Sequence, residues 1–322
     1  MKNNSTVKPS KIKKANISTV LFIYLGIAWA CLHFLVFWFG MNIGTVYNSF
    51  FTTDLAGNLK WNGLDAYKDV FLYMTGQKSN GIIDIRSLWN TLSILFLAFC
   101  INLPITLLFS YMIYKKIRLY KVLRVGLYVP CVLSVVILCL FWQLMFSGTS
   151  SGASLFSVLE KLGYSNQKII VNGWFTDKAT AWWGVLIFSV WTGVNGNIIY
   201  FTSAMARLPD SVVESASLDG ASEMRQFFAI VIPMIWPVIT TMSITLIGGT
   251  INWFQPAQLI IGENMAASVG GGTIAWIIIS QVKGGRTVGF PAAFGVVISI
   301  IGAVFIVFFR KIMEKLYEGV EY

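Results

Sequence analysis

Six stretches of this chain are each apolar for long enough to cross the roughly 30 Å hydrocarbon core of a bilayer. They run from Thr19 to Met41, Leu88 to Tyr114, Val125 to Phe146, Trp182 to Ala204, Met234 to Ile261 and Val288 to Phe309. A backbone in hydrocarbon must satisfy its own N–H and C=O groups, so segments of this length are expected to be helices. The reading is an all-α membrane protein with six transmembrane helices. Composition agrees: 56% of residues are hydrophobic and 12% charged, too apolar a balance for a soluble domain. Residues 1–18 form a polar, basic tail and 19–322 a single transmembrane domain.

The formal charge of +10 invites a nucleic-acid reading, but the bases cluster beside the apolar runs, where they set orientation, and no nucleic-acid partner is expected. The link KKIRLYKVLR between the second and third runs carries Lys115, Lys116, Arg118, Lys121 and Arg124 with no acid, and the tail is similarly basic. Both are assigned to the cytoplasm. With six spans, both termini and the stretch from Leu208 to Pro233 then share that side.

That stretch, LPDSVVESASLDGASEMRQFFAIVIP, is the chain's one elaborated polar segment on the cytoplasmic side. Pro209 and Asp210 are suited to start a helix, expected over Ser211 to Leu218. Gly220 permits a sharp turn, and Asp219 or Gly220 is expected to cap a second helix, with Glu223 as the capping carboxylate, running to Pro233. Ser215, Ala216 and Ser217 keep the surface of the first helix low, leaving Glu214 and Asp219 as charged handles.

The outer links carry less signal. In the one from Asn42 to Ser87, the acids Asp54, Asp65, Asp69 and Asp84 offset the bases, and WNGLDAYKDVF is expected as a short helix with Leu64, Tyr67, Val70 and Phe71 on one face. The link from Ser147 to Ala181 has turns at Gly163-Tyr164-Ser165 and Asn172-Gly173-Trp174. After GENMAASVGGG comes a run of about ten residues, TIAWIIISQV, followed by Lys283-Gly284-Gly285-Arg286. It is too short to span and is read as a re-entrant or outer-surface helix closing over the pathway. A seventh span is the competing reading and would put the C-terminus outside.

Across the six cores the only ionisable side chain of the Asp, Glu, His, Lys or Arg type is His33, which is assigned no role. That disfavours a proton-driven carrier, although sodium can be held by carbonyls and hydroxyls. The phosphate-binding pattern GxxxxGK[ST] is absent, so the energy source is expected in a partner. Cys31, Cys100, Cys131 and Cys139 lie in apolar runs without CxxC or CxxH spacing and read as buried small hydrophobes, not metal ligands. No nucleophile, acid pair or metal cluster assembles, and no enzymatic activity is expected.

Polar and aromatic residues inside the spans mark the candidate pathway. The fifth has Gly248-Gly249, Thr250, Asn252, Trp253, Phe254, Gln255, Pro256 and Gln258, and the fourth has Trp191, Thr192, Asn195 and Asn197. Amides beside aromatic faces suit a neutral polyhydroxylated ligand. The same residues also suit interhelical hydrogen bonding and interface anchoring, and both readings stay open.

The 208–233 stretch resembles the coupling motif of permease subunits of ATP-binding-cassette importers: Glu-Ala-Ala, three residues, Gly, then about nine residues to an Ile-x-Leu-Pro-like end. Glu214, Ser215, Ala216, Asp219, Gly220, Ala221, Phe227, Ile230, Ile232 and Pro233 fill its positions, with Ser215 for the first Ala and Ile232 for Leu. Gly63-Leu64-Asp65-Ala66-Tyr67 is similar to a Gly-Leu-Asp-Asn-Tyr signature of sugar-type permeases, with Ala66 in place of Asn. Asn90-Thr91-Leu92, Tyr128-Val129-Pro130 and Trp142 extend the resemblance over nearly the whole chain after the tail.

It looks most like the first permease subunit of carbohydrate importers of the maltose and glycerol-phosphate class. The resemblance implies a type I importer permease in the cell membrane and a heterodimer with a second homologous permease. It further implies two ATPase subunits that bind ATP and magnesium, an extracytoplasmic solute-binding protein and a sugar substrate, with no cofactor in this chain. Glu214, Ser215, Ala216, Asp219, Gly220, Ala221, Phe227 and Pro233 would couple to the ATPase, whose closure would tilt the fifth span. The alternatives are a permease for an amino acid, peptide or glycerol-phosphate, and an ion-coupled carrier.

Overall fold

The computed structural model describes residues 17–54, 58–77, 85–148, 154–163, 167–262, 269–284 and 288–317. The lysines of the tail, Asp84, Tyr164-Ser165, most of GENMAASVGGG and Gly285-Arg286 lie outside the described residues.

The chain begins with α1 (Val20–Asn48), a small antiparallel pair β1 (Phe51–Thr53) and β2 (Leu59–Trp61), α2 (Asp65–Met74) and α3 (Arg86–Tyr114). There follow α4 (Tyr120–Val132), α5 (Val135–Met145), the short α6 (Leu155–Lys161) and α7 (Gln167–Asn172), and α8 (Ala181–Met205). Next come α9 (Asp210–Leu218), α10 (Glu223–Met234), α11 (Trp236–Ile251), α12 (Gln255–Ile261), α13 (Ile274–Lys283) and α14 (Gly289–Leu316). Among the described residues α1, α3, α8 and α14 are unbroken and long and apolar enough to cross a membrane. The count reaches six when the bent pairs α4–α5 and α10–α11 are each taken as one span.

The expected third and fifth spans are therefore not single rods. The third turns by 103° between α4 and α5. Pro130 lacks the donor that would continue the ladder, Leu133 and Ser134 adopt extended conformations, and the Ser134 hydroxyl restarts the helix by accepting from Val136 N at 3.3 Å. The fifth turns by 75° at Ile235. It breaks again at Asn252–Phe254 and ends at Gly262, whose φ is +89°. Two of the π-turns, Ala98–Asn102 and Phe227–Val231, stand immediately before Pro104 and Pro233. Widening the turn to i→i+5 bonding accommodates a ring that cannot donate and would crowd the preceding carbonyl.

Among the described residues the helices are joined by one short β1–β2 ladder, pairing Phe51 with Trp61 and Thr53 with Leu59. Trp61 lies within ring contact of both Phe50 and Phe51, and such aromatic cross-strand contacts stabilise so short a pair. One further expectation is corrected: in α2 the buried face is Ala66, Val70 and Tyr73, whereas Leu64 and Phe71 are exposed. The reason is its seat on α14, where Tyr73 meets Phe294 edge to face at 5.3 Å and Ala66 leaves room for the approach.

Among the described residues the core falls into three clusters. One joins Val70, Tyr73, Cys139, Phe188, Ile260 and Phe294. A second joins Leu107, Tyr111, Phe201, Met205, Phe227, Val231, Ile235 and Met313, and a small third joins Ile113, Val194 and Ile198. A polar seam ties α3 to α8: Asn102, Thr106 and Ser110, four residues apart, donate to the carbonyls of Ser189, Val194 and Ile198 at 3.3, 3.0 and 3.4 Å. The most apolar stretch of α1 has none of its residues buried within the chain, so its contacts lie with whatever surrounds the chain. Cys31, Cys100 and Cys131 are exposed and only Cys139 is buried, which corrects the reading of all four as buried. An apolar run in a bilayer has no need of a protein neighbour to leave water.

Candidate functional site

The coupling candidates occupy a compact helical hairpin. Pro209 caps α9 in an extended conformation, and Asp210 stands in its first turn, where a carboxylate favours the free N–H groups. The helix closes in a Schellman arrangement. Ala221 N donates to Ala216 O at 3.0 Å and Gly220 N to Ser217 O at 3.1 Å, with Gly220 at φ +74°. A side chain at Gly220 would have space, so the requirement for glycine there is conformational, not steric.

Ser222, not Asp219 or Gly220, caps the second helix, accepting from Arg225 N at 3.4 Å. Asp219 is instead the C-cap of the first helix, its N–H donating to Ser215 O at 2.9 Å. Glu223 therefore takes the first helical position instead of the third, two residues too early for a capping box, and its carboxylate turns elsewhere.

The outer surface of the hairpin is polar and low. Glu214, Ser215, Asp219 and Gly220 are exposed, Ala221 is half-buried and Ala216 is the one buried residue of α9. Leu218, which the sequence reading passed over, is 89% exposed at the tip. A lone leucine beside the turn glycine, with no apolar partner at helical spacing on its face, is the signal that could have marked it.

The inner surface is anchored. Phe227 is 3% exposed, its ring 4.9 Å from that of Tyr111, and Val231 is fully buried beside it in the same cluster. Tyr111 OH donates to Glu223 Oε2 at 2.7 Å, and Lys115 Nζ lies 3.0 Å from the same oxygen. Lys115 also donates to Gln226 Oε1 at 2.8 Å, and Gln226 Nε2 donates to Ala221 O at 2.8 Å and Ser217 Oγ at 3.1 Å. Hydrogen bonding from Tyr111, opposed by partial burial and reinforced by Lys115, holds the Glu223 carboxyl below the usual carboxylate range. Pro233 is half-buried near the end of α10, and three residues on Trp236 Nε1 donates to Met313 O of α14 at 2.7 Å.

The pathway candidates are dispersed. Asn195 is buried, and its amide donates to Trp191 O of its own helix at 2.8 Å. Asn252 is exposed and bonds back to Gly248 O at 3.0 Å, and Gln255 is exposed. Trp253 is half-buried, and its carbonyl accepts from Thr273 Oγ1 at 2.8 Å. Among the described residues no hydrogen bond joins Asn195 to Asn252, Trp253 or Gln255. A Cβ at Gly248 or Gly249 would meet nothing within 4 Å, so that face of α11 is open within the chain.

Sequence reasoning also left Asn90 and Thr91 without a structural task. Asn90 Nδ2 donates to Gly270 O and Gly272 O, both at 2.8 Å, and Thr91 Oγ1 accepts from Ile274 N at 3.1 Å. The start of α3 thus holds the glycine-rich loop and the ten-residue α13, which buries Ile274, Trp276 and Ile277.

Residues 102–318 match the family model described as binding-protein-dependent transport system inner membrane component. The arabinooligosaccharides transport system permease protein AraP of Bacillus subtilis (strain 168) is 27% identical over 280 residues, covering 86% of this chain and 84% of the relative. A bacterial ABC transporter involved in the import of the acidic polysaccharide alginate contains a chain that superposes with a TM-score of 0.75 at 18% identity, covering 93% of this chain and 97% of that one. The same kind of transporter in complex with alginate pentasaccharide-bound periplasmic protein gives a TM-score of 0.72 at 17% identity over 95% and 98% of the two chains. At these identities the likeness establishes the fold.

Proposed function

The chain belongs to the family of binding-protein-dependent transport system inner membrane components, and from that premise we propose that it is the membrane-spanning subunit of an ATP-driven importer for a sugar or oligosaccharide. The observation that carries the proposal is the 208–233 hairpin. Its outer face presents Glu214, Asp219 and Leu218 exposed, with no side-chain partner among the described residues, while its inner face is fastened into the membrane domain. Such a surface suits docking by a separate ATPase, and the matched family region contains it. Glu214, Ser215, Ala216, Asp219, Gly220 and Ala221 shape the docking element, and Phe227 and Pro233 join it to the helices behind.

The sugar assignment draws on the arabinooligosaccharide relative and the alginate importers. The open glycine face of α11, with Asn252, Trp253 and Gln255 after its end, is the wall of the path that this subunit contributes. Asn195, bonded within its own helix, shapes α8 behind that wall. The working assembly pairs this chain with a homologous permease, two ATPases holding ATP and magnesium, and an external binding protein that delivers the solute. The tail, the 115–124 link, the hairpin and the C-terminus face the cytoplasm.

Reconstitution tests this reading. Uptake of labelled oligosaccharide into liposomes requires the ATPase and the binding protein together with this subunit and its pair. Transport by the chain alone defeats the proposal in favour of a self-sufficient carrier. Uptake of amino acids or glycerol-phosphate but not sugars defeats the substrate class alone.

A further inference from the structure

Resting on the reading of the hairpin as the coupling element, we infer that its motion is delivered mainly to α3 and α8, through Lys115, Tyr111, Glu223 and Gln226, and only secondarily to α11. The covalent continuation into α11 is poorly built to carry torque. The helices turn by 75° at Ile235, with a π-turn just before Pro233, whose ring offers no donor to the ladder, and Pro237 in the first turn of α11. A bend of this kind yields before it pushes.

The non-covalent link is the stiffer one. Lys115 ends α3 and grips both Glu223 and Gln226 on α10, at 3.0 and 2.8 Å. Tyr111, one turn earlier on α3, donates to the Glu223 carboxylate at 2.7 Å and packs its ring on Phe227. Gln226 is 2% exposed and ties this knot back to Ala221 and Ser217 of the turn, so the two arms of the hairpin and α3 share one bonded network. The Glu223 side chain is itself mostly exposed, but the bonds that hold it come from Tyr111, packed in the core, and from Lys115, which also holds the buried Gln226, and such a network resists displacement.

From α3 the displacement passes to α8 along the seam of Asn102, Thr106 and Ser110. Thr106 and Ser110 are almost wholly buried, and Gly193 brings α8 close enough that a Cβ there would lie 2.2 Å from Asn102 Nδ2. Hairpin, α3 and α8 thus form one rigid lever, with α11 hinged to it. Lys115, Glu223 and Gln226 are positioning residues: they touch neither solute nor nucleotide, and act by fixing the angle of the hairpin against the second span.

The complete importer, reconstituted in liposomes with its partner subunits and binding protein, tests this by the ratio of oligosaccharide taken up to ATP hydrolysed. Lys115→Met, which keeps the aliphatic stem, and Glu223→Gln are each expected to lower that ratio by about tenfold while the ATPase still co-purifies, as loss of a charge-assisted contact implies. Lys115→Arg is expected to keep at least half of it, and exchanging the pair as Lys115→Glu with Glu223→Lys to restore much of the loss. An unchanged ratio in both single variants overturns the inference, and so does loss of the ATPase from the complex, since the contact would then serve docking. Glu214→Lys on the outer face separates the two levels. If it lowers the ratio and the Lys115 variants do not, only the lever fails; if neither does, the coupling reading fails as well.

Discussion

Gly193 of α8 lies so close to Asn102 of α3 that a methyl group on its Cα would stand 2.2 Å from the Asn102 amide nitrogen. The amide fills the notch left by the missing side chain and donates to Ser189 O at 3.3 Å. Small residues at helix contacts let polar groups reach across in a medium where the hydrophobic effect draws no two helices together. Gly193 thus sets the spacing on which the rest of the seam depends.

Gly193→Ala therefore forces α3 and α8 apart or ejects the Asn102 side chain, either at a cost of about 1–3 kcal/mol. The purified complex should melt several degrees lower by tryptophan fluorescence. Gly248→Ala, where the added methyl meets nothing within 4 Å of this chain, should leave the melting temperature of the isolated subunit unchanged. Equal losses in the two variants would count against the notch.

At the turn, Gly220→Pro removes the N–H that donates to Ser217 O and excludes the φ of +74° on which the Schellman closure depends. Insertion, followed by membrane fractionation, should be normal, and uptake should fall at least about tenfold. Normal uptake by this variant would remove the hairpin as the coupling element.

Leu218, 89% exposed at the tip, should lose about 1–2 kcal/mol of ATPase affinity as Leu218→Ala if an ATPase pocket buries it. That is roughly a tenfold rise in the ATPase concentration needed for half-maximal stimulation. Leu218→Met should be close to wild type. An unchanged concentration dependence in Leu218→Ala would leave the tip out of the docking contact.

The Glu223 contact carries a pH dependence whose sign follows from its depressed carboxyl. Its stabilisation is present above the unfolded-state value, near pH 4.3, and is lost as pH falls through the lower folded-state value. Protection of the hairpin from limited proteolysis by an acid-active protease should be flat from pH 8 to about pH 5 and decline only in stronger acid. Glu223→Gln should abolish that decline. A decline centred near neutral pH would mean that another group controls the hairpin.

Trp253→Ala should impair uptake more than assembly, because its side chain is half-buried beside the open face of α11, and its bonds to Thr273 and Thr250 are made by the backbone. Uptake kinetics equal to wild type, with the complex intact, would return Trp253 to packing.

What the sequence determined by itself is local. Apolar length over about 20 residues announces each span, and the hairpin shows itself through Pro209, Asp210 and Gly220, whose conformational demands act within one turn. For the same reason, the ten-residue run before Lys283 reads as too short to span, with a seventh span as the competing reading, and the structure makes it the short helix α13.

Tertiary structure alone decided how those pieces bend and which of them touch. Pro130 and Ser134 fall inside an apolar run that reads as one rod, and the 103° turn there depends on α4 finding α3 and α8 while α5 finds α12. Cap and clamp at Ser222 and Glu223 differ by a single position, and the choice between them depends on Lys115, 108 residues away, offering a better partner than the backbone. Burial length and turn geometry are properties of neighbouring residues, whereas a salt bridge, a notch or a bend is settled by whichever distant surface arrives, and that carries no short-range mark in the chain.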